Sequence, residues 1–241
     1  CSSDEPGRLW QLKMAAKGCY DFAKAFGTPF ISGKDSMFND FSGYDADNNR
    51  VKISVPPTLL ISSIGVHDDV LKAVSIDAKI AGDLVYVIGE TAGELGGSEY
   101  FSHLGFMGNT VPKLDAAVTK ARYLRLHDAI SHELIASAFP VNHGGLGVAL
   151  AKVAVAGRLG MDITIPSLMR PDYYLFSESL GRFVVTVAPD HKREFERIMG
   201  ADALLLGKVG GNRVRITGQA LLFEQDIQKL EAAYKAPFRG F

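Results

Sequence analysis

Residues 82–100 read GDLVYVIGETAGELGGSEY, and the fold turns on how this stretch is divided. Gly82 to Gly89 is a continuous apolar run bounded by glycines, the pattern of a strand buried on both faces. After Gly89 the character changes, and residues 90–112 are rich in glycine and short polar side chains. Gly96-Gly97-Ser98 offers several backbone N–H groups and a hydroxyl within one turn, which suits an anion. A plain flexible glycine turn is the competing reading. A helix starting just beyond would add a favourable potential for phosphate at its N-terminus. Glu99 is then a magnesium or ribose ligand, or a first-turn carboxylate that suits the helix dipole.

Working outward toward the C-terminus, residues 113–138 read as one long helix or two short ones. Phe139 to Val141 is a short strand, and Asn142-His143-Gly144-Gly145 leads into a helix over 146–157. Strands follow at 161–165, 182–188, 203–209 and 213–217, with a helix over 190–199 and a terminal helix near 224–234. Gly210-Gly211-Asn212 reads as the turn of a hairpin. Such an order favours a mixed sheet covered by helices over an all-parallel doubly wound one.

Toward the N-terminus, Leu9, Leu12, Ala16, Cys19, Ala23 and Phe26 recur at helical spacing, predicting a helix over 8–26 closed by Gly27 and Pro29. Phe30 to Ser32 reads as a short strand and the polar residues 39–50 as an exposed turn or hairpin tip. Thr58 to Val66 (TLLISSIGV) reads as a buried strand. A domain boundary near residues 76–82 is expected where this strand-rich first part ends.

Four further places could carry chemistry. In Ile31-Ser32-Gly33-Lys34-Asp35-Ser36-Met37 a glycine, a cation, a carboxylate and a hydroxyl follow a short apolar run. The glycine permits close approach of backbone to an anion, lysine supplies a point charge, and a carboxylate can hold magnesium beside a phosphate. The spacing is not that of a Walker A loop, and a polar turn after a strand is the alternative. Gly144 and Gly145 at a helix start allow close approach of a phosphate, or supply small residues that pack the helix on a sheet. In Ser177-Glu178-Ser179-Leu180-Gly181-Arg182, Arg182 could reach a phosphate or carboxylate bidentately, or lie exposed and paired with Glu178. Asp68 and Asp69 form a pair at a strand end, suited to magnesium or to capping a short helix, with Asp69 as the cap.

Composition narrows the classes. The chain has 241 residues, 47% of them hydrophobic, enough for one large domain or two moderate ones with a sizeable core. A formal net charge of −1 offers no basic footprint for nucleic acid. No apolar run is long enough for a membrane span, and no signal peptide is visible. Cys1 and Cys19 make neither a disulfide framework nor a metal pattern, so a cytoplasmic protein with free thiols is expected. The histidines share no zinc-like spacing with another ligand. A chain starting at Cys1 reads as a fragment or a processed product.

Taken in order, GKDSMFND (33–40), PPTLLISSIGVHDDVLKAVSID (56–77), GDLVYVIGETAGELGGSEY, GGLGVALAKVAVAG (144–157) and LFSESLGRFVVTV (175–187) resemble the C-terminal half of the phosphoribosylformylglycinamidine synthase family, in its synthetase component. The resemblance covers nearly the whole chain and extends to the aminoimidazole ribonucleotide synthetase-like superfamily of ATP users. It implies an α/β fold of mixed character, with a small barrel-forming domain at about residues 1–80 and a larger mixed-sheet domain over 81–241. It also implies ATP-dependent conversion of formylglycinamide ribonucleotide to the amidine in purine biosynthesis. Magnesium bridges the phosphates, and ammonia comes from a glutaminase subunit or domain.

The family pattern G-N-x-S falls on Gly33, Lys34, Asp35 and Ser36. By that resemblance Gly33 and Lys34 contact ATP, Asp35 takes the metal role because a protonated lysine cannot, and Ser36 contacts substrate. Gly96, Gly97, Ser98 and Arg182 are further candidate substrate contacts, Gly144 and Gly145 candidate ATP contacts, and Asp68 a second candidate metal ligand. His143 stands where the family usually has an aspartate that helps hold the metal of a second nucleotide site, which puts that site in question. The resemblance places an ATP-contacting aspartate just upstream of Cys1, and the family's catalytic histidines and most magnesium ligands in the N-terminal half. The chain alone is therefore expected to be inactive and to need that half as partner, or to pair with itself as a homodimer. The competing reading is a non-catalytic dimerisation or nucleotide-binding module of the same superfamily. A stand-alone kinase or synthetase would need a glycine- and aspartate-rich nucleotide segment that the sequence lacks.

Overall fold

The computed structural model describes residues 4–239. The chain divides into two compact units, Cys1–Val66 and His67–Phe241.

In the first unit, helix α1 (Pro6–Phe26) starts with proline in its first turn, where the missing N–H costs nothing. It ends at Gly27, whose φ of 75° is the left-handed cap that glycine accepts without strain. Strands β1 (Phe41–Tyr44) and β2 (Arg50–Ile53) pair antiparallel, and Asp45 ties their turn by accepting from Asp47 N and Asn49 N. The expected hairpin is thus present. Two expected strands are not: Phe30–Ser32 and Thr58–Val66 have no strand structure. The physical reason is pairing, since a strand needs a neighbour for its N–H and C=O groups and these residues have none among the described residues. Nor is Thr58–Val66 buried, with Leu60 at 89% and Val66 at 92% exposure. No closed barrel forms among the described residues.

The second unit is built on a seven-stranded sheet in the order β4-β6-β3-β7-β5-β8-β9. Its strands are β3 (Leu84–Ile88), β4 (Ser137–Val141), β5 (Met161–Thr164), β6 (Arg182–Val187), β7 (Ala203–Val209), β8 (Arg213–Thr217) and β9 (Leu221–Asp226). Every neighbouring pair is antiparallel except β5 with β8. The helices are α2 (Glu99–His103), α3 (Ala116–Ser131), α4 (Gly145–Gly157), α5 (Pro171–Phe176), α6 (Lys192–Met199) and α7 (Ile227–Lys235). Central β3 is buried at every position, as a strand covered on both faces must be. Val85 and Val87 face a core with Leu146, Leu150 and Val153 of α4 and Tyr174 of α5. Leu84, Tyr86 and Ile88 face the opposite core with Leu126 of α3 and Phe195 and Met199 of α6. The expected mixed sheet between helices is what forms.

Two expectations are revised, and a third is decided between its alternatives. The turn at Gly210-Gly211-Asn212 does not close a hairpin, because β5 lies between β7 and β8 and bonds to both. Gly160 exchanges backbone bonds with Gly210 and Gly211 at that point. The terminal helix starts at Ile227, and the residues before it form edge strand β9. Residues 113–138 hold one helix, α3, capped by Asp115, whose carboxylate accepts from Ala117 N and Val118 N.

Candidate functional site

Within residues 67–241, three motifs that are remote in sequence meet: the glycine-rich segment after β3, the turn before α4, and the link from α5 to β6. That link is SESLG, residues 177–181, and its side chains reach back to the segment after β3. Ser177 Oγ accepts from Glu94 N at 3.1 Å and Ser179 Oγ accepts from Ala92 N at 3.1 Å. Arg182 opens β6 and is 1% exposed. Its Nε donates to Ser179 O (2.9 Å), one terminal nitrogen to Ser177 O (2.6 Å) and the other to Thr91 Oγ1 (2.8 Å). Burial lowers its pKa to about 10, partly offset by Tyr174 and Glu94, so the guanidinium stays charged at neutral pH.

Arg182 therefore corrects both sequence-based expectations. It is neither a surface contact for phosphate nor an exposed partner of Glu178, because its fork is spent on two carbonyls and a hydroxyl inside the protein. Glu178 points elsewhere: its Oε1 accepts from Gly144 N at 2.8 Å and from Glu99 N at 2.9 Å. His143 Nδ1 lies 3.5 Å from Glu99 Oε1 and 3.8 Å from Glu178 Oε2, on an exposed ring.

The glycine turns are also more occupied than their composition suggests. Gly96 N donates to Thr110 O and Gly97 N to Met107 O, both at 2.8 Å. A Cβ on Gly96 would stand 2.7 Å from Thr110 backbone, so this glycine serves close packing. Ser98 is buried and caps α2, accepting from Phe101 N and donating to Leu95 O. Gly145 N donates to Asn142 O, and its Cβ position is closed by Leu175 O and Ser177 O at 2.7 Å. The idea that Gly96, Gly97, Ser98, Gly144 and Gly145 hold free amides or a free hydroxyl for a phosphate is thus corrected: each is already satisfied within the fold. Tyr100 stacks on Phe176 with centroids 4.6 Å apart and donates to Asp172 Oδ2 at 3.3 Å. Burial acts upward on the Asp172 carboxyl, but Arg170 beside it wins and holds it below the usual range.

A second cluster secures the same end of the sheet. Asp202 takes Arg122 Nε at 3.1 Å and also pairs with Arg125, while Arg122 donates to Gly181 O at 3.3 Å. Burial raises the Asp202 pKa, and the two arginines outweigh it, so the net shift is downward. Glu178, Thr91, Tyr100 and the Arg122–Asp202 pair were not singled out as site residues from sequence. The signal available for Glu178 was a carboxylate between two serines.

In the first unit, residues 33–36 are exposed. Lys34 Nζ donates to Ser36 Oγ at 2.7 Å and to Asp35 O at 2.9 Å, so the lysine and the serine share one small surface. Asp69 caps the short 3₁₀ turn at Val70–Lys72 through Leu71 N, as expected of one of the pair, and Asp68 is exposed. Among the described residues no three His, Cys, Asp or Glu side chains gather closely enough to hold a metal by themselves. None of the described helices is long and apolar enough to cross a membrane. Cys19 is a free thiol, and Cys1 lies outside the described residues.

The family model for AIR synthase related protein, C-terminal domain, matches residues 81–218. Phosphoribosylformylglycinamidine synthase subunit PurL of Moorella thermoacetica is 33% identical over 224 residues, which cover 90% of this chain and 29% of that protein. The PurL subunit of Methanocaldococcus jannaschii is 31% identical over 250 residues, covering 98% of this chain and 32% of that one. This chain therefore spans about a third of these relatives. Among solved structures, T. maritima PurL complexed with FGAR superposes with a TM-score of 0.65 at 16% identity, covering 87% of this chain and 36% of that chain. T. maritima PurL complexed with ATP gives 0.55 at 18% identity, covering 67% of this chain and 27% of that chain. At such identities the likeness is one of fold. With more than half of its length matched by the family model, the chain belongs to the AIR synthase related protein family and carries that family's C-terminal domain.

Proposed function

We propose that this chain is the C-terminal part of an ATP-dependent synthetase that converts formylglycinamide ribonucleotide to formylglycinamidine ribonucleotide in purine biosynthesis. The observation that carries the proposal is that relatives named as PurL subunits align with 90% or more of this chain. In this reading residues 1–80 are a barrel-forming domain and residues 81–241 a mixed-sheet domain. An N-terminal synthetase half completes the active site, a glutaminase subunit or domain supplies ammonia, and the assembly works in the cytoplasm.

The exposed surface of Gly33, Lys34, Asp35 and Ser36 is the ligand-facing part in this reading. Lys34, already beside Ser36 Oγ, suits a phosphate as a point charge. Magnesium keeps most of its waters and takes one or two carboxylates plus phosphate oxygens. A lone exposed carboxylate such as Asp35, or Asp68, fits that donor set without a protein cage. Bound there, magnesium would neutralise charge on the phosphates of ATP. Ser36 would orient the substrate by its hydroxyl. Within residues 67–241 the glycine turns, Ser98 and Arg182 act as framework.

The test is ADP release in the presence of formylglycinamide ribonucleotide, ATP and ammonia. The chain alone should give no turnover, and adding the N-terminal remainder of the protein should restore it. S36A should then lower the restored rate by about 10²-fold or more, the scale of a lost positioning contact. Substrate-dependent turnover by the chain alone overturns the need for a partner, and no turnover in the reconstituted mixture overturns the proposal.

A second reading has its own observation. Gly96, Gly97, Gly144 and Gly145 all donate their amides within the fold, which suits a non-catalytic dimerisation module. Apolar exposure on α1, where Leu9, Trp10 and Leu12 are all uncovered, suits pairing with a second copy. In that case light scattering shows a dimer, and S36A and K34A leave the reconstituted rate unchanged.

A further inference from the structure

The link between α5 and β6 holds one carboxylate in an unusual position, and every polar residue around it contributes. Glu178 Oε1 receives two backbone N–H groups from different segments, Glu99 N at the start of α2 and Gly144 N just before α4. Glu99 N is the first amide of α2 and Gly144 N that of the residue capping α4, and neither has an acceptor within its helix. The Glu178 side chain is 13% exposed, and Glu99 and His143 are the titratable groups facing it. Its backbone is pinned on both sides. Ser177 Oγ and Ser179 Oγ hold residues 94 and 92, and the buried Arg182 guanidinium takes the carbonyls of residues 177 and 179. Glu178 is therefore presented from a rigid base toward two turns that would otherwise have no bond to each other through this oxygen.

We infer that Glu178 is a positioning residue: its carboxylate clips the GGSEY turn to the HGG turn and sets the spacing between the starts of α2 and α4, with Arg182 as the base that aims it. The inference does not depend on what either turn binds. Chemistry and length select glutamate here. A charged acceptor shared by two N–H donors is stronger than a neutral one. Aspartate, one methylene shorter on the same pinned backbone, falls short of both amides. Glutamine keeps an oxygen of the same reach and loses only the charge. The serines and the arginine of the SESLGR segment then have one common task, holding the backbone from which this side chain projects.

Amide-resolved hydrogen exchange and proton–nitrogen spectra of the full chain test this. In E178A, exchange at Glu99 and Gly144 should rise about tenfold or more, the scale of one charge-assisted hydrogen bond, while β3 and β6 amides keep their protection. E178D should behave as E178A does. E178Q should hold both amides within about threefold of wild type, since the neutral acceptor keeps most of the bond, and should move both amide protons upfield together. R182K, which keeps the charge and loses the planar fork, should loosen the same two amides. Unchanged exchange at Glu99 and Gly144 in E178A overturns the inference. Should E178A lose protection throughout the domain, E178Q decides: two amide protons that stay in place, or that move independently, overturn it.

Discussion

Residues 4–66 and residues 67–241 are both rich in apolar side chains, yet only the second region has a core. No residue of 4–66 is buried, whereas β3 alone buries five in succession. Helix α1 shows what the difference consists of. Its apolar residues recur at the right spacing, its start and its glycine cap are in order, and still none of its residues is covered. Local rules make a helix; a core needs surfaces that face each other. In the second region α4 and α6 meet opposite faces of one sheet, and alternation along β3 feeds both. In the first, a two-stranded hairpin and one helix cannot enclose anything, and two strands alone are marginal in water.

The comparison can be broken most decisively by cutting the chain. Residues 67–241 alone should unfold in one cooperative transition by circular dichroism, and residues 4–66 alone should show none; a cooperative melt of the short piece would refute the contrast. Next in size is a pair of leucines. L150A removes a fully buried side chain from α4 and should cost about 2–5 kcal/mol in urea unfolding. L60A, at a residue 89% exposed, should stay within about 0.5 kcal/mol.

The smallest effect sharpens the picture inside the core region. Burial raises the Asp83 pKa, against the pull of Lys79 and His191, and its Oδ2 has no hydrogen-bond partner. Its proton is held more tightly in the folded state. The stability tied to it is therefore full below the unfolded pKa and lost as pH rises through the folded one. D83N should remove that loss, stabilising the protein at neutral pH with an advantage that fades as the solution is acidified. A neutral-pH stability equal to or below wild type would mean that the carboxylate is better solvated than its surroundings indicate.

How much of this was legible follows from range. Strands β7 and β8 appear at the expected residues because glycine and apolar runs mark them locally. β9 was missed because Glu224, Gln225 and Asp226 make an edge strand look like a helix start. The apolar run at 58–66 has the composition of a strand, but nothing in a run of residues says whether a partner strand will be there. The false hairpin at 210–212 has the same cause, since the strand that separates β7 from β8 lies about 50 residues earlier, a non-local pairing. The site was legible in pieces. GGSEY, HGG and SESLGR each stood out by composition, while their junction through Glu178 spans three segments and left no local mark. Arg182 misleads because a charge is by default an exposed residue; its two carbonyl partners and the Thr91 hydroxyl explain its depth.

The central strand has a consequence for the order of assembly. β3 is bounded by β6 on one side and β7 on the other, each roughly 100 or more residues later in the chain, a costly separation for loop closure. As the polypeptide leaves the ribosome, β3 emerges long before either neighbour exists, and it carries LVYVI with both edges bare. Both edges of β3 can be covered only after Val209 has been made. Until then this segment presents an apolar strand with unpaired edges, the kind of surface a chaperone covers.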